Sequence, residues 1–65
     1  MQNYQNAIHH LTQFGIAEIK SGYIPPTRND LLSELRSHAA EVGANFSGAQ
    51  LESIVNLAER NLKNF

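Results

Sequence analysis

The sequence lacks several features by which small proteins are often classified. It contains no cysteine, which excludes disulfide bridges and thiolate metal ligands. Its five basic and six acidic side chains give a formal net charge of −1, so no strong field attracts it to nucleic acid or an anionic membrane. No apolar run approaches the ~20 residues of a membrane span, and the first basic residue is Lys20, so no positively charged leader is expected. We therefore expect a soluble, cytoplasmic protein.

The chain has 65 residues, which is enough for one domain with a thin hydrophobic core. A domain of this size buries only roughly 60% of the surface that its unfolded chain exposes. Small domains usually compensate with disulfides, a metal, association or unusually good helix packing. Without cysteine, helix packing and self-association are the expected supports.

Two breaks divide the sequence into three predicted helices. Pro25 and Pro26 forbid a continuous helix and favour an extended link, and Gly43 is a natural left-handed helix end. Between the breaks, apolar residues recur every three or four positions, which predicts an all-α fold: a long first helix and then a helical hairpin. The predicted helices span about residues 4–21, 28–42 and 48–63. The predicted apolar stripe of the second helix is Leu31, Leu35, Ala39 and Val42.

Capping signals mark the start of the second and third helices. Thr27 is followed three residues later by Asp30, and Ser47 by Gln50. Both pairs have the spacing of a capping box, in which each side chain bonds to the backbone of the other residue.

The stretch NFSGAQLESIV, residues 45–55, resembles the start of a helix in the small lid subdomain of the AAA+ ATPases. An F/Y-S-G-A-(acidic)-L pattern is common there, and the resemblance implies a helix near a bound nucleotide. Gln50, however, stands where the family has an acidic residue, and the chain contains no G-x-x-x-x-G-K-[ST] loop. A hydrophobic staple between Phe46 and Leu51, together with the capping box, explains the same pattern. No nucleotide-binding residue and no cofactor are therefore predicted.

Histidines and carboxylates supply no recognisable catalytic or metal-binding pattern. His9 and His10 point about 100° apart on a helix, so they cannot readily share one metal ion. His38 follows Glu34 by four residues, the spacing of a helix-surface pair, and also borders an apolar stripe. We interpret His38 as a half-buried core histidine and expect no metal site. A chain this small hardly encloses a ligand pocket of ~300 Å³ or more, so an enzyme is not expected.

DNA binding is the alternative function, because the second and third helices with their glycine-containing turn could form a helix-turn-helix. The apolar residues of the third helix come about two positions late for the compact form of that motif. Arg36, Arg60 and Lys63 could form a small basic patch. Glu52 and Glu59 share that surface, however, and Glu59 stands four residues before Lys63, the spacing of a helix ion pair. Nucleic acid is therefore a disfavoured partner.

Some apolar residues lie outside the stripes that a closed monomer would bury. The predicted core consists of Leu11, Phe14, Leu31, Leu35, Leu51, Ile54, Val55 and Leu62. Ile16 and Leu57 lie away from the stripes of their helices, and Tyr23 and Ile24 add apolar bulk beside the prolines. Such residues favour a second burial surface. The predicted partner-binding residues are Ile16, Tyr23, Ile24, Leu57 and Phe65. We predict a non-catalytic protein–protein interaction module that binds a second copy of itself or another protein.

Overall fold

The computed structural model describes residues 2–22 and 25–65, which form three α-helices. Helix α1 spans Gln2–Lys20, α2 spans Arg28–Val42 and α3 spans Gly48–Lys63. The described residues are otherwise turns and links, so the all-α prediction is confirmed. Helices α2 and α3 have the predicted bounds, whereas α1 begins two residues earlier and ends one residue earlier than predicted. None of these helices combines the length and the apolar character needed to cross a bilayer.

Hydrogen bonds between side chains show that α1 and α3 run parallel. The hydroxyls of Tyr4 and Ser53 are 2.6 Å apart, and Asn61 Nδ2 donates to Thr12 Oγ1 at 3.2 Å. Both pairs are 49 residues apart in sequence, so positions on the two helices advance together. Helix α2 connects them and therefore runs back in the opposite direction, which gives an up-down-up arrangement.

The core lies between the three helices, and all the buried side chains in the described part of the chain are apolar. Its buried residues are Ala7, Leu11, Leu31, Leu35, Ala39, Ile54, Val55 and Ala58. Of the predicted core, Leu11, Leu31, Leu35, Ile54 and Val55 are fully buried. The others, Phe14, Leu51 and Leu62, are half-buried and pack against the cluster.

One residue of the predicted stripe of α2 is not in the core. Val42 is 48% exposed, so its placement in the buried stripe was wrong. It is the last residue of α2, and Gly43 then turns the chain with a φ of 70°. The helical period is lost at this point, so a stripe counted along the helix no longer indicates which residues are covered.

Both predicted capping boxes are present. Thr27 Oγ1 accepts from the Asp30 amide at 3.2 Å, and Asp30 Oδ2 accepts from the Thr27 amide at 3.0 Å. Ser47 Oγ accepts from the Gln50 amide at 3.2 Å, and Gln50 Oε1 accepts from the Ser47 amide at 2.9 Å. The SGAQ segment therefore has a local structural role: it starts α3.

Candidate interaction surface

An open apolar groove lies at the end of the molecule where α1 passes to α2. Its volume is about 250 Å³. The last turn of α1, the proline link, the first turn of α2 and the last turns of α3 all contribute to its walls. The lining residues are Ile19, Pro25, Pro26, Leu31, Glu59, Leu62 and Lys63. The groove is thus walled mainly by hydrocarbon, with one charge of each sign.

The close approach of α1 and α3 brings Leu62 into the groove wall. Gly15 is buried against α3, and a Cβ atom added there would lie 2.5 Å from Leu62 Cδ1. Any larger residue at this position would push Leu62 outward. The missing side chain of Gly15 therefore determines how near α3 lies to the end of α1.

Phe65 lies at the same end of the molecule and is 60% exposed. Its amide donates to the Leu62 carbonyl at 3.3 Å, which ties the residue to the end of α3. Its ring centroid is 5.9 Å from Lys20 Nζ at the end of α1. A cation above an aromatic ring at an exposed site contributes only about 0.5–1 kcal/mol, so this contact holds the ring weakly. The ring is not part of the groove lining.

The other predicted partner-binding residues differ in their positions. Ile16 and Leu57 are half-buried. Leu57 lies four residues from both Ser53 and Asn61, whose side chains bond to α1, so it faces the seam between α1 and α3. Tyr23 and Ile24 lie outside the described residues. Of the three members that the structure describes, Ile16, Leu57 and Phe65, Phe65 is the one that is largely open to solvent.

An arginine on α2 forms ion pairs with two glutamates on α3 next to the groove. Arg28 Nη1 donates to Glu59 Oε1 and Nη2 donates to Glu52 Oε1, both at 2.6 Å. The hydrogen bond to Glu52 is the largest influence raising the pKa of Arg28 above its ordinary value. The spacing of Glu59 and Lys63 would allow an ion pair along α3, but Glu59 bonds to Arg28 instead. Among the described residues, no carboxylate lies within 4.0 Å of Lys63 Nζ.

A second cluster, which sequence reasoning missed, joins α1 to α2. His10 Nε2 is 2.7 Å from Glu34 Oε2, and the rings of His10 and His38 stack with centroids 4.3 Å apart. The prediction of a half-buried His38 is confirmed. Glu34, whose spacing would also allow a pair with His38, bonds to His10 instead. Within residues 2–22 and 25–65, His38 Nε2 is buried without a hydrogen-bond partner.

The histidine cluster does not have the geometry of a metal site. The planes of His10 and His38 are within 23° of parallel, so their in-plane lone pairs do not converge on one point. In the described parts of the chain, no group of three or more histidine or carboxylate side chains could hold a metal ion. The cluster packs α1 against α2.

Two further surface depressions are lined by charged side chains, but neither brings together the groups that a catalytic site needs. One, of about 330 Å³, is lined by Phe14, Glu18, Pro26, Asp30, Ser33 and Glu34. Its carboxylates would repel an anionic ligand, and Ser33 has no hydrogen-bonded base among the described side chains. The other, of about 260 Å³, is lined by Asn56, Glu59, Arg60 and Lys63. Arg60 and Lys63 therefore share their surface with Glu59, which weakens the case for a phosphate-binding face.

No protein family, no curated protein and no solved structure matches this chain. Functional inference therefore depends on the geometry of these surfaces.

Proposed function

We propose that this protein is a non-catalytic interaction module that self-associates through apolar contact. The observation that carries the proposal is the juxtaposition of an open apolar groove and a 60% exposed phenyl ring at the same end of the molecule. Burying both would remove apolar surface from water at roughly 25 cal/mol per Å².

The thin core supports the same proposal. In the described residues the buried hydrophobic side chains number eight, and Ala7, Ala39 and Ala58 among them contribute little apolar area. A chain of this size gains stability from a second burial surface when disulfides and metals are absent. Association would therefore contribute to the stability of the fold as well as to recognition.

The charge of the molecule permits self-association. The formal net charge is −1, so two copies repel each other little. Near the groove, Arg28 forms ion pairs with Glu52 and Glu59, and Lys63 lines the same wall as Glu59. A surface of mixed sign suits a neutral or self-complementary partner better than the uniformly anionic backbone of DNA.

Sedimentation equilibrium or light scattering over a concentration series, at low and moderate salt, tests the proposal. We expect a dimer at micromolar concentration that persists in moderate salt, because an apolar contact is little screened. A monomer throughout the concentration series would contradict the proposal. Titration of duplex DNA into the same samples tests the alternative: binding that weakens steeply with salt and disappears in Arg60→Ala would replace an interaction module with a DNA-binding protein.

A further inference from the structure

We infer that two copies of this chain form a two-fold symmetric dimer, in which Phe65 of each copy occupies the groove of the other. This inference rests on the proposed self-association and adds the surface and the anchoring residue. Because ring and groove lie at the same end of one molecule, a two-fold axis through that end brings each ring to the other copy's groove.

The size and walls of the groove fit a single apolar side chain. Its volume of about 250 Å³ is below the ~300–1,000 Å³ of sites for drug-sized ligands. Ile19, Leu31 and Leu62 offer hydrocarbon, and the walls supply few polar groups to orient a polar ligand. Of the two large apolar side chains that are mainly exposed in the described residues, Phe65 and Val42, only Phe65 lies at the groove end.

The geometry of a single chain places the ring outside the chain's own groove. The hydrogen bond from the Phe65 amide to Leu62 fixes the backbone at the end of α3, and the ring lies toward Lys20. A second copy offers a burial site without breaking that hydrogen bond. Aromatic side chains seated in such pockets are the usual anchors of protein interfaces.

The charges at the groove favour a second copy over a strongly charged partner. Glu59 and Lys63 both line the groove and have opposite signs. The Glu59 side chain is 39% exposed and uses only Oε1 for Arg28. A two-fold arrangement lets Lys63 of each copy approach Glu59 of the other, whereas a uniformly acidic or basic partner would place a like charge against one of them.

The first test compares Phe65→Ala with Val42→Ala in the full chain. The two variants each truncate one exposed apolar residue, Val42 at the end of α2 and Phe65 after α3, at opposite ends of the helical bundle. Loss of an interface anchor should raise the dimer dissociation constant at least about tenfold for Phe65→Ala. We expect Val42→Ala to stay within about twofold of the parent, as an exposed residue away from the interface does. Unchanged helical circular dichroism in both variants would show that they fold.

The second test reverses the charges of Glu59 and Lys63, one residue at a time. Lys63→Glu alone and Glu59→Lys alone should each weaken the dimer, because each places like charges opposite one another twice. Mixing the two variants pairs opposite charges at both contacts, so the mixture should form a heterodimer more tightly than either variant forms its homodimer. General damage, such as loss of the Arg28–Glu59 bond, would not be rescued by mixing.

The outcomes separate this inference from the function on which it rests. A parent chain that remains a monomer overturns both. A parent dimer that tolerates Phe65→Ala, or dissociates on Val42→Ala instead, keeps the interaction module and overturns the groove as its interface. Dissociation on Phe65→Ala without rescue by charge mixing overturns the two-fold pairing of Glu59 with Lys63.

Discussion

Among the described residues, each end of the helical bundle exposes one large apolar side chain, and the surroundings of the two side chains differ. Where α2 passes to α3, Val42 is 48% exposed, while Phe46 in the adjoining link is half-buried and packs against the core. At the opposite end, roughly 22 Å away along the 15 residues of α2 at about 1.5 Å per residue, Phe65 is 60% exposed beside an open groove. The apolar groove described above lies at this second end.

The difference arises from the two links. Gly43 turns the chain tightly with a positive φ, and Phe46 returns to the core one residue before the Ser47 cap. In the described part of the proline link, residues 25–27, Pro25 is exposed and both prolines line the groove. A single exposed apolar side chain is ordinary on a protein surface. Its conjunction with a groove of matching character makes the proline end the candidate interface.

The largest expected effect comes from truncating the core at different distances from the groove. Leu31 and Leu35 are both fully buried, but only Leu31 also lines the groove. Leucine-to-alanine changes in a core cost ~2–5 kcal/mol, and the cost falls where neighbours can collapse into the space. We expect Leu35→Ala near the upper end of that range and Leu31→Ala near the lower end, measured by urea unfolding at a concentration where the parent is monomeric. An equal or greater loss for Leu31→Ala would mean that the groove end is packed as tightly as the centre.

Local features of this fold could be predicted from the sequence because neighbouring residues determine them. The capping boxes at Thr27 and Ser47, and the left-handed Gly43, each depend on a few adjacent positions. Periodicity likewise identified the helices and the fully buried core leucines. These signals depend on backbone geometry that does not change with the arrangement of the helices.

The contacts between helices could not be predicted, because they depend on how the helices are rotated and aligned. The spacing rules for one helix would allow pairs of Glu34 with His38 and of Glu59 with Lys63, each four residues apart. In the folded chain, Glu34 bonds to His10, 24 residues away, and Glu59 bonds to Arg28, 31 residues away. Leu57 similarly lies outside the stripe of one helix but faces the α1–α3 seam. The groove and its relation to Phe65 required the assembled helices.

An intermediate effect is expected where α1 approaches α3 at the groove end. Gly15→Ala would place a methyl group 2.5 Å from Leu62 Cδ1, and overpacking of this kind costs about 1–3 kcal/mol. Alanine also favours a helix over glycine by about 1 kcal/mol, which offsets part of the loss. In a Leu62→Ala background the clash is absent, so Gly15→Ala should then stabilise the chain. A double-mutant cycle by urea unfolding measures this change of sign, and additive effects would show that the two residues do not touch.

The smallest expected effect concerns the capping boxes at the starts of α2 and α3, which differ in charge. Asp30 closes the first box with a carboxylate, whereas Gln50 closes the second with a neutral amide. A negative charge in the first turn of a helix interacts favourably with the helix dipole, by about 0.3–1 kcal/mol at low salt. Gln50→Glu should therefore raise the free energy of unfolding by that amount at neutral pH, and Asp30→Asn, its counterpart on α2, should lower it similarly. Both changes should shrink as salt is added, because surface charges are screened. A Gln50→Glu effect that is destabilising or independent of salt would indicate that the two boxes differ in more than charge.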